Sequence, residues 1–127
     1  MSKPFALGKN FIHLADAGGA TPVPVGPDFW ERIAQRRDLH EGRLLTFFHL
    51  GPGNMHWEMH PAGDEILIMV SGKTAIVLEE GKKQRRVELN AGKALIVPRG
   101  VWHAFEVSEP GDLLAITPGQ GTEVRAD

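Results

Sequence analysis

From Arg43 onward the chain alternates between short apolar runs and clusters of turn residues. The runs are 43–50 (RLLTFFHL), 54–60 (NMHWEMH), 65–71 (EILIMVS), 74–79 (TAIVLE), 84–89 (QRRVEL), 94–98 (ALIVP), 102–107 (WHAFEV) and 112–117 (DLLAIT). Gly51-Pro52-Gly53, Pro61-Ala62-Gly63, Ser71-Gly72-Lys73, Glu80-Gly81-Lys82-Lys83, Asn90-Ala91-Gly92, Pro98-Arg99-Gly100 and Pro110-Gly111 separate them. Short strands at this spacing, bounded by turn signals, predict an all-β antiparallel sandwich or barrel. The gaps leave no space for crossover helices, which argues against a parallel sheet.

Upstream the pattern changes. Phe29, Trp30 and Ile33 fall at helical spacing behind Asp28, a good N-cap, with Glu31 completing a capping-box pair. One short helix is predicted over 28–37, with Arg36 and Arg37 near its C-terminus and Gly42 beyond it. Phe11–Leu14 has the make-up of a short strand, while 17–27 is too rich in Gly and Pro for a regular element. Residues 1–27 therefore read as an arm lying over the domain. The expected organisation is an arm and helix (1–42), a barrel (43–118) and a C-terminal tail (119–127).

Composition narrows the function classes. A chain of 127 residues is one domain. Fourteen Lys and Arg against 16 Asp and Glu leave a net charge of -2, which gives no reason to expect a nucleic-acid partner. The absence of cysteine excludes disulfides, thiolate metal sites and a cysteine nucleophile. No apolar run approaches the ~18–20 residues that span a bilayer, and the first residues lack a signal-peptide core. The expectation is a cytoplasmic protein with no membrane partner.

The run 54–60 carries the chemistry. Asn54, His56, Glu58 and His60 alternate with Met55, Trp57 and Met59, so a strand here has one polar and one apolar face. Either the apolar face is core and the polar one meets water, or the imidazoles and carboxylates point inward around a metal. His103 shares a face with Phe105 and Val107, and Glu65 shares one with Leu67 and Met69, which turns both inward. A buried, unpaired carboxylate is costly, and a metal or a histidine partner relieves that cost. His60, Glu65 and His103 form the two-imidazole, one-carboxylate set used by non-haem iron, which also suits manganese, nickel or zinc. Lys82, Lys83, Arg85 and Arg86 cluster at a glycine turn and read as a solvated hairpin tip.

These residues resemble the cupin family. Its second motif, Gly-x5-Pro-x-Gly-x2-His, is complete as Gly92, Pro98, Gly100 and His103. Its first motif is a His-x-His pair followed by Glu and Gly; here His60, Glu65 and Gly72 match, Glu58 stands in the first histidine position and Gly53 lies one residue out of register. The later Asn of the second motif falls on Val107. The segment around Trp57–Glu65 looks like that of small single-domain cupins. The resemblance implies a jelly-roll barrel with strand 54–60 turned inward and a divalent metal ion (Fe, Mn, Ni or Zn) held by Glu58, His60, Glu65 and His103. Two histidines and two carboxylates would favour a harder ion than three histidines and one glutamate do. His56 is a weak candidate for a substitute ligand or an acid–base group.

Three readings follow: a metal-dependent enzyme on a small organic substrate (dioxygenase, isomerase or decarboxylase type), a non-catalytic module that binds or senses a small ligand with or without metal, or a metal-free barrel whose polar pocket is vestigial. If Glu58 and His60 point inward, Met55, Trp57 and Met59 point outward, and an exposed apolar row asks for cover. A homodimer is expected, with Trp57 at the covered surface and the 1–27 arm across it.

Overall fold

The computed structural model describes residues 2–126. The strands are β1 (Asn10–Leu14), β2 (Ala20–Pro24), β3 (Arg43–Leu50), β4 (Gly53–Asn54), β5 (Trp57–Met59), β6 (Glu65–Met69), β7 (Lys73–Glu80), β8 (Lys83–Asn90), β9 (Ala94–Val97), β10 (His103–Glu109), β11 (Gly111–Thr117) and β12 (Glu123–Arg125). One sheet has the order β2-β1-β3-β11-β6-β9; the other runs β12-β5-β10-β7-β8, with β4 also on β10. All pairings are antiparallel. This is the antiparallel sandwich expected from the turn spacing, in the jelly-roll form that the family resemblance implies. No helix among the described residues is long and apolar enough to cross a membrane.

Alternation decides what enters the sandwich. Leu67, Met69, Leu113 and Ala115 from one sheet meet Ile76, Leu78, Phe105 and Val107 from the other in the main core. Val107, where the motif places Asn, is thus a packing residue. A smaller core of Phe11, Val23, Phe29, Leu39 and Leu44 lies under the N-terminal segment.

That segment departs from expectation. Residues 20–24 form a strand in spite of their prolines, because β2 is the edge of its sheet. Val25 N donates to Lys9 O, and Ala15 N to Gly19 O, which sets the odd positions toward β1. Pro22 and Pro24 therefore turn their missing donors to the free edge, where a proline costs nothing. The hairpin adds to the sheet through β1 and β3, on the opposite sheet from β5. It does not lie across Trp57.

The helix is one turn, α1 (Phe29–Arg32), followed by 3-10 turns at Ile33–Gln35 and Arg37–Leu39. Asp28 makes no capping bond; its carboxylate takes Arg32 instead, at 2.7 Å. Beyond Ile33 only Leu39 is buried, so no apolar face exists to continue the helix. Aromatic packing holds the turn. Phe29 meets Phe11 edge-on at 5.4 Å, and Trp30 stacks on Phe48 at 5.5 Å.

Gly72, from the first motif, sits in the β6–β7 turn with φ 78°, and a Cβ there would lie 2.6 Å from the carbonyl oxygens of Glu109 and Pro110. Gly81, at the β7–β8 tip, has φ 65° and open space around it. Gly81→Ala should cost only the left-handed strain of about 1–2 kcal/mol. Gly72→Ala should cost clearly more than that in urea unfolding, because backbone must also move. Equal losses would show that the close approach to the β10–β11 turn contributes nothing.

Candidate metal centre

Four elements bring the chemistry together. β6 opens on Glu65 and β10 on His103. Glu58, on β5, lies directly across from His103. His60 follows β5 in a loop fixed by two bonds: Gly100 N donates to its carbonyl oxygen at 3.0 Å, and Arg99 N donates to Asp64 Oδ1 at 2.8 Å. The Pro-Arg-Gly turn of the second motif thereby holds His60 beside His103, with ring centroids 5.3 Å apart. His60, Glu65 and His103 are buried, at 5%, 4% and 1% exposure.

Hydrogen bonding on the outer side of each ring fixes what points inward. His103 Nδ1 donates to Val101 O at 3.0 Å. Thr122 gives its hydroxyl proton to Gly119 O at 3.0 Å, which leaves its oxygen to accept from His60 Nδ1 at 2.9 Å. In its neutral form each ring therefore turns an unprotonated Nε2 inward. The Glu65 carboxylate faces them: its Oε2 is 3.2 Å from His60 Nε2 and its Oε1 is 2.9 Å from His103 Nε2. His60 Nε2, His103 Nε2 and Glu65 Oε1 are buried without a hydrogen-bond partner. Thr117 Oγ1 donates to Glu65 Oε2 at 2.5 Å. Burial would push the Glu65 carboxyl up, but the adjacent His103 and His60 imidazoles outweigh it and hold it at about 2. Burial lowers His103 in turn, and the Glu65 carboxylate more than reverses that, so its pKa is raised.

Glu58 completes the cluster. Its carboxylate is half-buried and lies 4.0 Å from His60 Nε2; one donor atom each from Glu58, His60 and His103 lie within 4.8 Å of one another. His56 stands outside that group, exposed, with Nε2 3.3 Å from Glu58 Oε1. The polar positions of run 54–60 thus turn inward from Glu58 on. The alternation does not hold throughout, because the strand breaks at Met55 and His56 and both residues line the cavity. In the basic cluster at the β7–β8 tip the two arginines form ion pairs, Arg85 with Glu80 and Arg86 with Glu106.

The cluster opens into a cavity of about 800 Å³ between the sheets, with a rim at Trp30, Met55 and Val124. The N-terminal turns supply part of its wall through Trp30, Ile33 and Leu39.

The Cupin_2 family model, a cupin domain, matches residues 46–117, more than half of the chain. The chain belongs to the cupin family. Among solved structures, a cupin-2 domain protein from Shewanella frigidimarina is 24% identical, with a TM-score of 0.52, covering 60% of this chain and 70% of its own. Oxalate decarboxylase of Bacillus subtilis, studied for its Mn(II) centres, is 23% identical with a TM-score of 0.58, covering 65% of this chain; this cupin spans only 23% of that enzyme. An Fe(II) enzyme, HppE, is 18% identical with a TM-score of 0.51, over 59% of this chain and 42% of its own. At these identities the likeness is one of fold. No curated protein matches the chain.

Sequence reading missed the C-terminal strand of this cupin. β12 pairs with β5, and the Arg125 guanidinium lies 4.9 Å from the Trp57 ring and 4.6 Å from the Trp102 ring, while bonding Glu79 at 2.5 Å. Part of the Trp57 ring is thus covered by its own chain. Three residues, Glu123–Arg125, are too few to show a period. Arg125→Gln should lower stability by about 1–2 kcal/mol, and speed amide exchange at Val124 and Thr122. Unchanged exchange there would mean that the clamp does not hold the segment.

Proposed function

We propose that this cupin holds one divalent metal ion with His60, His103 and Glu65, with Glu58 as fourth donor, and acts with it on a small organic substrate. One observation carries the reading: three buried donor atoms converge without partners, while both imidazoles have their other nitrogen committed to an oxygen acceptor. That is the arrangement by which ligating histidines are oriented. Two imidazoles and two carboxylates suit Fe(II) or Mn(II), with nickel and zinc as alternatives.

A bound ion supplies Lewis-acid polarisation of a substrate oxygen. The chain's own residues do the rest. Thr122 and Val101 orient the two imidazoles, and Thr117 fixes the rotation of the Glu65 carboxylate. His56 sits against Glu58 at the edge of the cavity, where it would hold or release a proton toward a bound molecule. The second reading, a non-catalytic binding or sensing barrel, draws on Glu58 standing where the motif has histidine.

Elemental analysis of protein prepared without chelator should find about one metal ion per chain. His60→Ala with His103→Ala should abolish it, and Glu65→Gln should reduce it severely. Thr122→Val, which leaves every donor in place, should weaken the metal by about 10–100-fold. Equal metal in the wild type and the double variant would refute the site. Turnover of candidate substrates separates enzyme from sensor.

A further inference from the structure

The lining of the cavity is sharply divided. Its polar side is one continuous chain of contacts, in which His56 meets Glu58, Glu58 faces His60, His60 faces Glu65, and Thr122 and Thr117 back the last two. Most of the remaining surface is hydrocarbon and aromatic, drawn from both sheets and the N-terminal turns: Phe48, Leu50, Leu67, Phe105, Leu113 and Trp30. Thr46 does not interrupt it, because its hydroxyl is spent on Ala115 O at 3.4 Å. His40, on the N-terminal turns, is the one polar side chain apart from these.

Charge sharpens the point. Among the described residues, no lysine or arginine lines the cavity, whereas Glu58 and Glu65 do. A divalent cation would only cancel those two carboxylates. Only the imidazoles of His40 and His56, and no permanent cation, remain to face a second anionic group on a ligand, and desolvating one without a full counter-charge is expensive. The volume lies within the ~300–1,000 Å³ of sites for drug-sized molecules, far more than a two-carbon diacid fills.

We infer that the substrate is a predominantly apolar molecule with one oxygen head group, neutral or singly charged. The head group meets the His60–Glu65–His103 side, and the body lies along Phe48, Phe105 and Trp30. Compact dianions such as oxalate are excluded. This rests on the metal-centre reading only for the head group; the apolar wall and the missing cations stand without it.

The test is calorimetric titration of the full chain, with its metal, against acetate, hexanoate and 2-naphthoate, and against oxalate and succinate. Affinity should rise about tenfold or more from acetate to 2-naphthoate, following buried apolar area, and 2-naphthoate should bind at least tenfold tighter than oxalate. Trp30→Ala and Phe48→Ala should each weaken 2-naphthoate severalfold and leave acetate unchanged. The ligand series needs no variant, so it decides the matter even if these two fold poorly. Oxalate or succinate binding as tightly as 2-naphthoate would overturn the inference and leave the metal site intact. Affinity that does not grow with the apolar body would overturn it too. If 2-naphthoate keeps its advantage and the His60→Ala/His103→Ala variant binds it as well as wild type does, the substrate class stands and the metal's part in holding the head group falls.

Discussion

A carboxylate inside a protein must be compensated, and Glu65 is the group around which this molecule is arranged. Left alone in the interior, an ionised carboxyl would cost several kcal/mol or take up a proton. Here two imidazoles hold it in the charged form. When both rings are neutral, however, they offer it lone pairs rather than protons, because Val101 and Thr122 take the Nδ1 hydrogens. The cluster is short of positive charge by design of its hydrogen bonds. A cation at that point satisfies all three unpartnered atoms at once, which no single proton does.

The jelly roll makes this arrangement stiff. Glu65 and His103 each sit at the start of a strand whose next inward residues, Leu67 and Phe105, are locked in the main core. His60 has no strand of its own and depends on the loop it shares with Arg99 and Gly100. The proposed site therefore combines three donors set by sheet register, Glu65, His103 and Glu58, with one set by a loop and braced from the C-terminus through Thr122. A ligand set by register moves only if a sheet moves. A ligand set by a loop can be adjusted by the residues that brace it.

Much of this was legible in the chain, for identifiable reasons. Strand β3 matches its apolar run residue for residue, and β6 to β11 match to within a residue or two at each end, because period-2 alternation and Gly-containing turns speak plainly. Glu65 and His103 declared themselves by sharing strand faces with core residues. The failures were of a different kind. β2 was hidden because prolines argue against strands in general and not against edges. The 28–37 helix was overextended because capping and spacing were visible while the lack of burial beyond Ile33 was not. Thr117 and Thr122, which orient the site, are common hydroxyl residues whose part depends on distant neighbours, 52 and 62 positions away in sequence. The break at Met55 and His56 spoiled an alternation that otherwise held from Glu58 on.

The family match covers residues 46–117, but the cavity is not built from those residues alone. Trp30, Ile33 and Leu39 precede the matched segment, and Thr122 and Val124 follow it. Part of the wall around the donor cluster is thus written outside the stretch that carries the donors. Changes at the two ends can reshape what the barrel admits while the central histidines and carboxylates stay as they are. The termini work as an exchangeable sleeve around a fixed socket, and a new guest calls for a new sleeve.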